Sequence, residues 1–326
     1  MRRTTAQASV AAVPDLGPAF VEDVREFLAR KPRRIPSRWF YDDLGSALFE
    51  AICRLPWYPL TRAEMRLLAR HAREILDPDI ATVVELGPGN GAKMSALIAG
   101  SGSACRPLEL HLVDVSASAL AAAERGLEQL PDARVVPHRM TYEAGLEAFG
   151  IERSAAGRRL ALFLGSNIGN FDPPGRDALL GSVRSSLESG DAFLLGADLV
   201  KSERDLLLAY DDPLGVTASF NLNVLARIKR ELGGDFDLGG FAHRAIWNPE
   251  HSRVEMHLLS RMRQRVAVRG ADLAFVMEPG ETIWTESSYK FRPAEIASML
   301  ERSGFRVRAQ WSDPIDLFAL TLAEAS

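Results

Sequence analysis

"VVELGPGNGAK", Val83 to Lys93, is the stretch that decides the fold. It begins as a short, apolar, β-branched run of the kind that makes a buried parallel strand. It then turns on glycines and opens a helix. Glycines let a backbone approach a ligand closely, and free amides at a helix start suit a polar or anionic group. The following strand, "LHLVDV", ends near Asp114, whose carboxylate can accept from both ribose hydroxyls of a nucleoside. A strand, a glycine turn, a helix and a second strand tipped by an acid make the nucleoside-binding corner of a doubly wound sheet.

Outward from this corner the same rhythm continues. "ARVVPHRM", "RLALFLG" and "AFLLGADLV" read as three more strands, with a helix over Pro173 to Leu187 between the last two. Strands alternating with helices imply a mostly parallel sheet with right-handed crossovers. Upstream, Phe20 to Ala29, "SALFEAICRLP" and Leu60 to Leu76 carry amphipathic helix patterns. Downstream, Arg204 to Leu232 reads as helix. "HRAIWN", "RVEMHLLSRM" and "QRVAVRG" then read as an antiparallel meander that ends in "WTESSYKF", Trp284 to Phe291. The helix "RPAEIASMLERSG" and the strands "FRVRAQW" and "LFALTLA" return to sheet character. The expected division is a cofactor domain from 62–199 and 291–326, a second α+β domain from 16–61 and 200–290, and a disordered tail over 1–15.

Composition narrows the function classes. A net charge of −4 gives no electrostatic footprint for nucleic acid. The basic run "RKPRRIPSR", Arg30 to Arg38, reads as a solvated linker. Cys53 and Cys105 have no metal-like spacing, and no metal site is expected. No apolar run approaches the roughly 20 residues that span a bilayer, and no secretory leader is evident. A cytoplasmic, reduced, monomeric protein without a membrane partner is the expectation.

The glycine turn leaves two cofactors open. Gly87, Gly89 and Ala92 fit the dinucleotide spacing, whereas Gly87, Gly89 and Gly91 fit that of S-adenosylmethionine (SAM) sites. Gly87 to Asp114 spans 27 positions, against about 20 in the dinucleotide pattern. The end of the chain, "GFRVRAQWSDPIDLFALTLAE", reads as a terminal antiparallel hairpin. It resembles that of class I methyltransferases, whose sheet is Rossmann-like.

Several longer motifs resemble one family closely, from about Pro32 to Leu322: "WFYDDLGSALFEAI", "FLGSNIGNF", "AYDDPLGVTASFNLNVL", "RELGGDFDL", "RVEMHL" and "TESSYKFRP". It is the SAM-dependent L-histidine Nα-methyltransferase family of the ergothioneine pathway. The resemblance implies three methyl transfers from SAM to the α-amino nitrogen of L-histidine. The products are trimethylhistidine (hercynine) and S-adenosyl-L-homocysteine. It implies that Tyr58, Asn170 and Tyr210 hold the amino-acid head group, and that Tyr41, Asn170 and Thr217 lie at the reacting amine. Glu286 and Ser288 would hydrogen-bond the imidazole ring, and Met256 would line its pocket. Gly87, Gly89, Lys93 and Asp114 match cofactor positions. Thr141 and Tyr142 stand near the adenine, where the family has an acidic residue followed by an aromatic. "WYPLTRAE" departs from the family's motif around Tyr58.

Strand alternation bears on the last motif. It puts Trp284, Glu286, Ser288 and Lys290 on one face and Thr285, Ser287, Tyr289 and Phe291 on the other. A carboxylate accepts and a hydroxyl donates or accepts, which suits a neutral imidazole with one donor and one acceptor. The alternatives are Nα-methylation of tryptophan or tyrosine, against which Glu286 and Met256 speak, and a nicotinamide-dependent oxidoreductase resting on the glycine turn alone.

Overall fold

The computed structural model describes residues 16–102, 107–130, 132–151 and 157–326. The expected tail 1–15 and Cys105 lie outside the described residues. The strands are β1 (Arg33–Arg34), β2 (Ile80–Leu86), β3 (Leu108–Asp114), β4 (Ala133–Arg139), β5 (Arg158–Phe163) and β6 (Ala192–Asp198). Then come β7 (Phe241–Asn248), β8 (Arg253–Ser260), β9 (Gln264–Val268), β10 (Leu273–Met277), β11 (Thr282–Tyr289), β12 (Phe305–Asp313) and β13 (Phe318–Ala325).

Seven strands form one sheet in the order β12-β13-β6-β5-β2-β3-β4. β2 to β6 pair in parallel, with helices as crossovers. β13 pairs antiparallel to β6, and β12 antiparallel to β13. This is the expected doubly wound α/β sheet with its terminal hairpin. Helices cover both faces, so β6 is buried along its whole length. Val83 and Leu162 pack into one apolar cluster, Val84 and Phe163 into the other. The strand order turns back between β2 and β5. Ligands of open α/β sheets bind at the carboxyl ends of such a pair. The loops after β2 and β5, "GPGNG" and "GSNIG", leave the sheet at that point.

β1, β11, β8 and β7 form a second sheet in that order. It joins the first where Leu199, just past β6, bridges Phe291, just past β11.

Three expectations are corrected here. β9 does not extend the meander; it pairs with the unforeseen β10 in a separate two-stranded hairpin, and β8 takes β11 as its neighbour. The expected helix Arg204 to Leu232 is two helices, Glu203–Tyr210 and Val216–Leu232. Pro213 has no amide to donate, Gly215 sits at φ 71°, and Asp212 caps the second helix through the amides of Val216 and Thr217 at 3.2 and 2.8 Å. "RKPRRIPSR" is not a solvated linker. Its β1 pairs with β11, and Arg33, only 7% exposed, donates to the carbonyls of Leu28 and Val276. Its guanidinium lies 4.1 Å from the centre of the Phe275 ring, a stacking that lets an arginine be buried.

Candidate active site

The turn after β2 places Gly87 and Gly89 at φ 72° and 57°. A Cβ on Gly87 would lie 2.8 Å from Tyr142 Oη and 3.3 Å from Asn167 Nδ2, while one on Gly89 would meet open space. Glycine therefore brings the turn beneath Tyr142 and leaves its outer edge clear. Tyr142 packs edge-on against Phe163 at 5.5 Å. Burial pushes its phenol above the ordinary range, helped by Asp114 and Glu143. Thr141 receives the Ala144 amide at 3.4 Å and so starts the helix that carries Tyr142. Asp114, at the tip of β3, is raised by burial and drawn back by the Ser116 amide at 2.8 Å.

Lys93 is held by Glu64 at 2.7 Å. That carboxylate is fully buried and also accepts the Gly165 amide at 2.8 Å. Gly196 leaves it room: a Cβ there would be 2.1 Å from Glu64 Oε1. Glu85, at the end of β2, is 1% exposed, and its Oε2 has no hydrogen-bond partner among the described residues. Burial pushes its carboxyl up to about 8, against the pull of Lys93.

In the loop after β5, Ser166 adopts φ 58° and its Oγ accepts the Asp198 amide at 2.9 Å. The 3-10 turn Asn167–Asn170 follows. A Cβ on Gly169 would be 2.7 Å from the Tyr289 carbonyl. Glycine thus lets the loop carrying Asn170 press against β11.

Tyr41 follows a 3-10 turn, Ser37–Phe40, and precedes the helix Asp43–Ile52. Asp42 caps that helix through the Gly45 amide at 2.7 Å. It also accepts from Asn223 at 2.8 Å and pairs with Arg230 at 2.6 Å, both on the helix Val216–Leu232. Gly45 is obligatory, because a Cβ would sit 1.7 Å from the Phe40 carbonyl oxygen. The Tyr41 ring meets Phe49 at 5.6 Å and Phe220 at 5.8 Å. Phe49 meets Tyr58 at 6.4 Å, and Tyr58 meets Tyr210 at 6.3 Å. Burial raises the phenols of Tyr41 and Tyr58 well above their ordinary value, with added repulsion from Glu286 on Tyr41 and from Tyr210 on Tyr58. Thr217 is 2% exposed at the start of the helix Val216–Leu232.

β11 corrects the face assignment. It pairs Trp284 with His257 but Glu286 with Met256, so a bulge at Thr285 reverses the alternation. Trp284 stacks on His257 at 5.7 Å, on the face where Arg253 and Glu255 pair. Glu286 and Ser288 turn to the other face, and Thr285 is buried there with them, its hydroxyl donating to Asn221 Oδ1 at 2.7 Å. Asn221 Nδ2 donates to His243 Nδ1 at 2.9 Å, and His243 Nε2–H donates to the Tyr210 carbonyl at 2.8 Å. Burial lowers the His243 pKa, which keeps Nδ1 an acceptor. The network ties the bulge to Tyr210. Glu286 is half-buried, and among the described residues its carboxylate has only electrostatic company; burial pushes it up to about 7, while Lys290 pulls it down. Met256, opposite it, is 2% exposed.

The structure therefore links Tyr41, Tyr58 and Tyr210 through ring contacts, ties Tyr210 to Ser288 on β11, sets Met256 opposite Glu286, and packs the turn carrying Asn170 against the same strand. Sequence reasoning missed Glu64, Glu85, Asn221, Asp198 and Lys290. The only signal for them was an ionisable or amide side chain inside a motif already singled out, as with Glu85 in "VVELG" and Lys290 in "TESSYKF".

A family model described as histidine-specific methyltransferase, SAM-dependent, matches residues 20–325. A histidine N-alpha-methyltransferase of Mycolicibacterium smegmatis is 40% identical, over 98% of this chain and 99% of that protein. One from Mycobacterium tuberculosis is 40% identical, over 94% of each. Ergothioneine biosynthesis protein 1 of Neurospora crassa is 29% identical over 78% of this chain, which aligns with 31% of that longer protein. The chain belongs to the family of histidine-specific, SAM-dependent methyltransferases.

Proposed function

We propose that the protein transfers three methyl groups from SAM to the α-amino nitrogen of L-histidine. The product is trimethylhistidine, destined for ergothioneine synthesis. The observation that carries this reading is the pair Glu286 and Ser288, turned by the bulge to one buried face beside Tyr41 and Tyr210. A carboxylate and a hydroxyl two residues apart match the donor and the acceptor of a neutral imidazole; an indole would leave one of them unpaired.

The residues after β2 and β3 fit SAM. Glu85 offers a buried carboxylate oxygen without a partner among the described residues, which suits an ammonium. Gly87 and Gly89 keep the turn clear for close approach, and Asp114 stands where a ribose binds. Bound there, SAM supplies a methyl group already activated on a sulfonium. The chain's own residues then have three tasks. Asn170 and Tyr41 orient the amine, with Thr217 behind them. Tyr58 and Tyr210 hold the head group, Tyr210 through the lone pair and ring face left outside its contacts with Ser288 and Lys290. The aromatic wall of Phe49, Phe220 and the tyrosines excludes water, so that positioning does most of the work. Burial raises the Tyr41 phenol above its ordinary value, so Tyr41 serves as an orienting hydroxyl and no single general base is essential. Segments 16–61 and 200–290 form the histidine-binding part. The protein is proposed to act as a monomer in the cytoplasm.

The test follows product mass with SAM and each of the twenty amino acids. Trimethylation of histidine alone is expected; transfer to an aromatic amino acid in preference would overturn the reading. If Tyr41→Phe binds histidine normally yet loses more than about 10⁴ in rate, the upper end for one acid–base group, Tyr41 is the base after all.

A further inference from the structure

Lys290 has a side chain with no exposed surface. A buried ammonium is costly unless it is fully paired. The Lys290 ammonium forms an ion pair with Asp198 Oδ2 at 2.9 Å and donates to Tyr210 Oη at 2.8 Å and Ser288 Oγ at 3.0 Å. The two hydroxyls are themselves 2.8 Å apart. Lys201 holds the other oxygen of Asp198 at 2.7 Å. Two ammonium groups thus share one carboxylate, and the surplus positive charge faces Glu286.

Counting protons leaves one hydrogen over in the pair. Lys290 occupies a lone pair on each hydroxyl. One hydrogen is spent between Tyr210 and Ser288, where either hydroxyl can donate; it is assigned to the phenol, the more acidic of the two. A single hydrogen is left, on Ser288, and it must point away from Lys290. We propose that Lys290 is a positioning residue for ring recognition: it compels Ser288 to donate, so that Glu286 takes the ring N–H and Ser288 serves the bare ring nitrogen. The site then selects a ring with one donor and one acceptor in a fixed order. This inference rests on the histidine reading and adds to it the group that sets the direction of one hydrogen bond.

The test is a double-mutant cycle with Lys290→Met and Ser288→Ala, with SAM affinity by calorimetry as the measure of an intact fold. Asp198 keeps Lys201 in the variant, so its charge is not left unpaired. Each single substitution is expected to raise KM for histidine about tenfold, the worth of one hydrogen bond, with kcat within about threefold. The double variant is expected within about threefold of the worse single one, because both remove the same contact. Additive losses, or an unchanged KM in Lys290→Met, would overturn the proposal. Should Lys290→Met fail to bind SAM, Lys290→Gln, uncharged but still a donor, is expected to keep KM within about threefold of wild type, and a tenfold rise there would overturn the donor role. Wild-type turnover of histidine is measured first. Its absence removes the functional reading, whereas turnover with an additive cycle removes only the role of Lys290.

Discussion

At the scale of the residue, Glu286 is the group whose chemistry is most exposed to test. Burial holds its carboxyl up to about 7, so at pH 6 it is about 90% protonated, and a protonated carboxyl is a poorer acceptor for the ring N–H. The kcat/KM profile of the wild type for histidine is expected to lose activity below about pH 7, and Glu286→Gln to be low and flat across that range. The same limb in Glu286→Gln would assign it to the substrate. The sign for stability runs the other way. A carboxyl raised above its unfolded value of 4.5 carries no penalty below that pH and its full penalty above about 7. Without histidine, Glu286→Gln should melt a few degrees above the wild type at pH 8 and level with it at pH 4.5. An equal shift at both pH values would show that ionisation is not the cause.

At the scale of the element, two glycines and one bulge place the chemistry. Gly45→Ala sets a methyl group against the Phe40 carbonyl and should cost about 3 kcal/mol or more in urea unfolding. Gly169→Ala pushes the Asn170 loop off β11. There, kcat/KM should fall by at least about tenfold, since small misplacements are expensive in positioned reactions, while SAM affinity falls less, since Gly169 meets β11 and the turn reaches the glycine turn through Asn167. An equal loss of SAM affinity would mean that the loop serves the cofactor. The bulge at Thr285 explains why "WTESSYKF" looks like a broken strand. Simple alternation fails because one extra residue on β11 reverses the phase between Trp284 and Glu286. A bulge leaves no mark in the local pattern, and this one is held by Asn221, 64 residues away in sequence. Thr285→Val removes the donor and strands Asn221 Oδ1, at a cost of about 1–3 kcal/mol.

At the scale of the whole molecule, the site lies where the two sheets join, at Leu199 and Phe291. Among the described residues no helix is long and apolar enough to cross a membrane. SAM at about 100 times its Kd should stabilise the fold by about 2.7 kcal/mol. Unchanged melting with SAM would remove the cofactor assignment. The sequence by itself determined the parallel sheet, its order of elements and its terminal hairpin, because buried strands and glycine turns are local signals of period and conformation. It also carried the family, through motifs spread along the chain. The break of the long helix is written locally, in Asp212, Pro213 and Gly215; the tertiary structure alone decided that Arg33 is buried against Phe275. It alone decided that Trp284 and Glu286 face opposite ways, and that Lys290 is spent on Asp198, Tyr210 and Ser288. Each of these depends on a partner far away in sequence, and a buried charge or a reversed strand phase is settled by what lies across the gap.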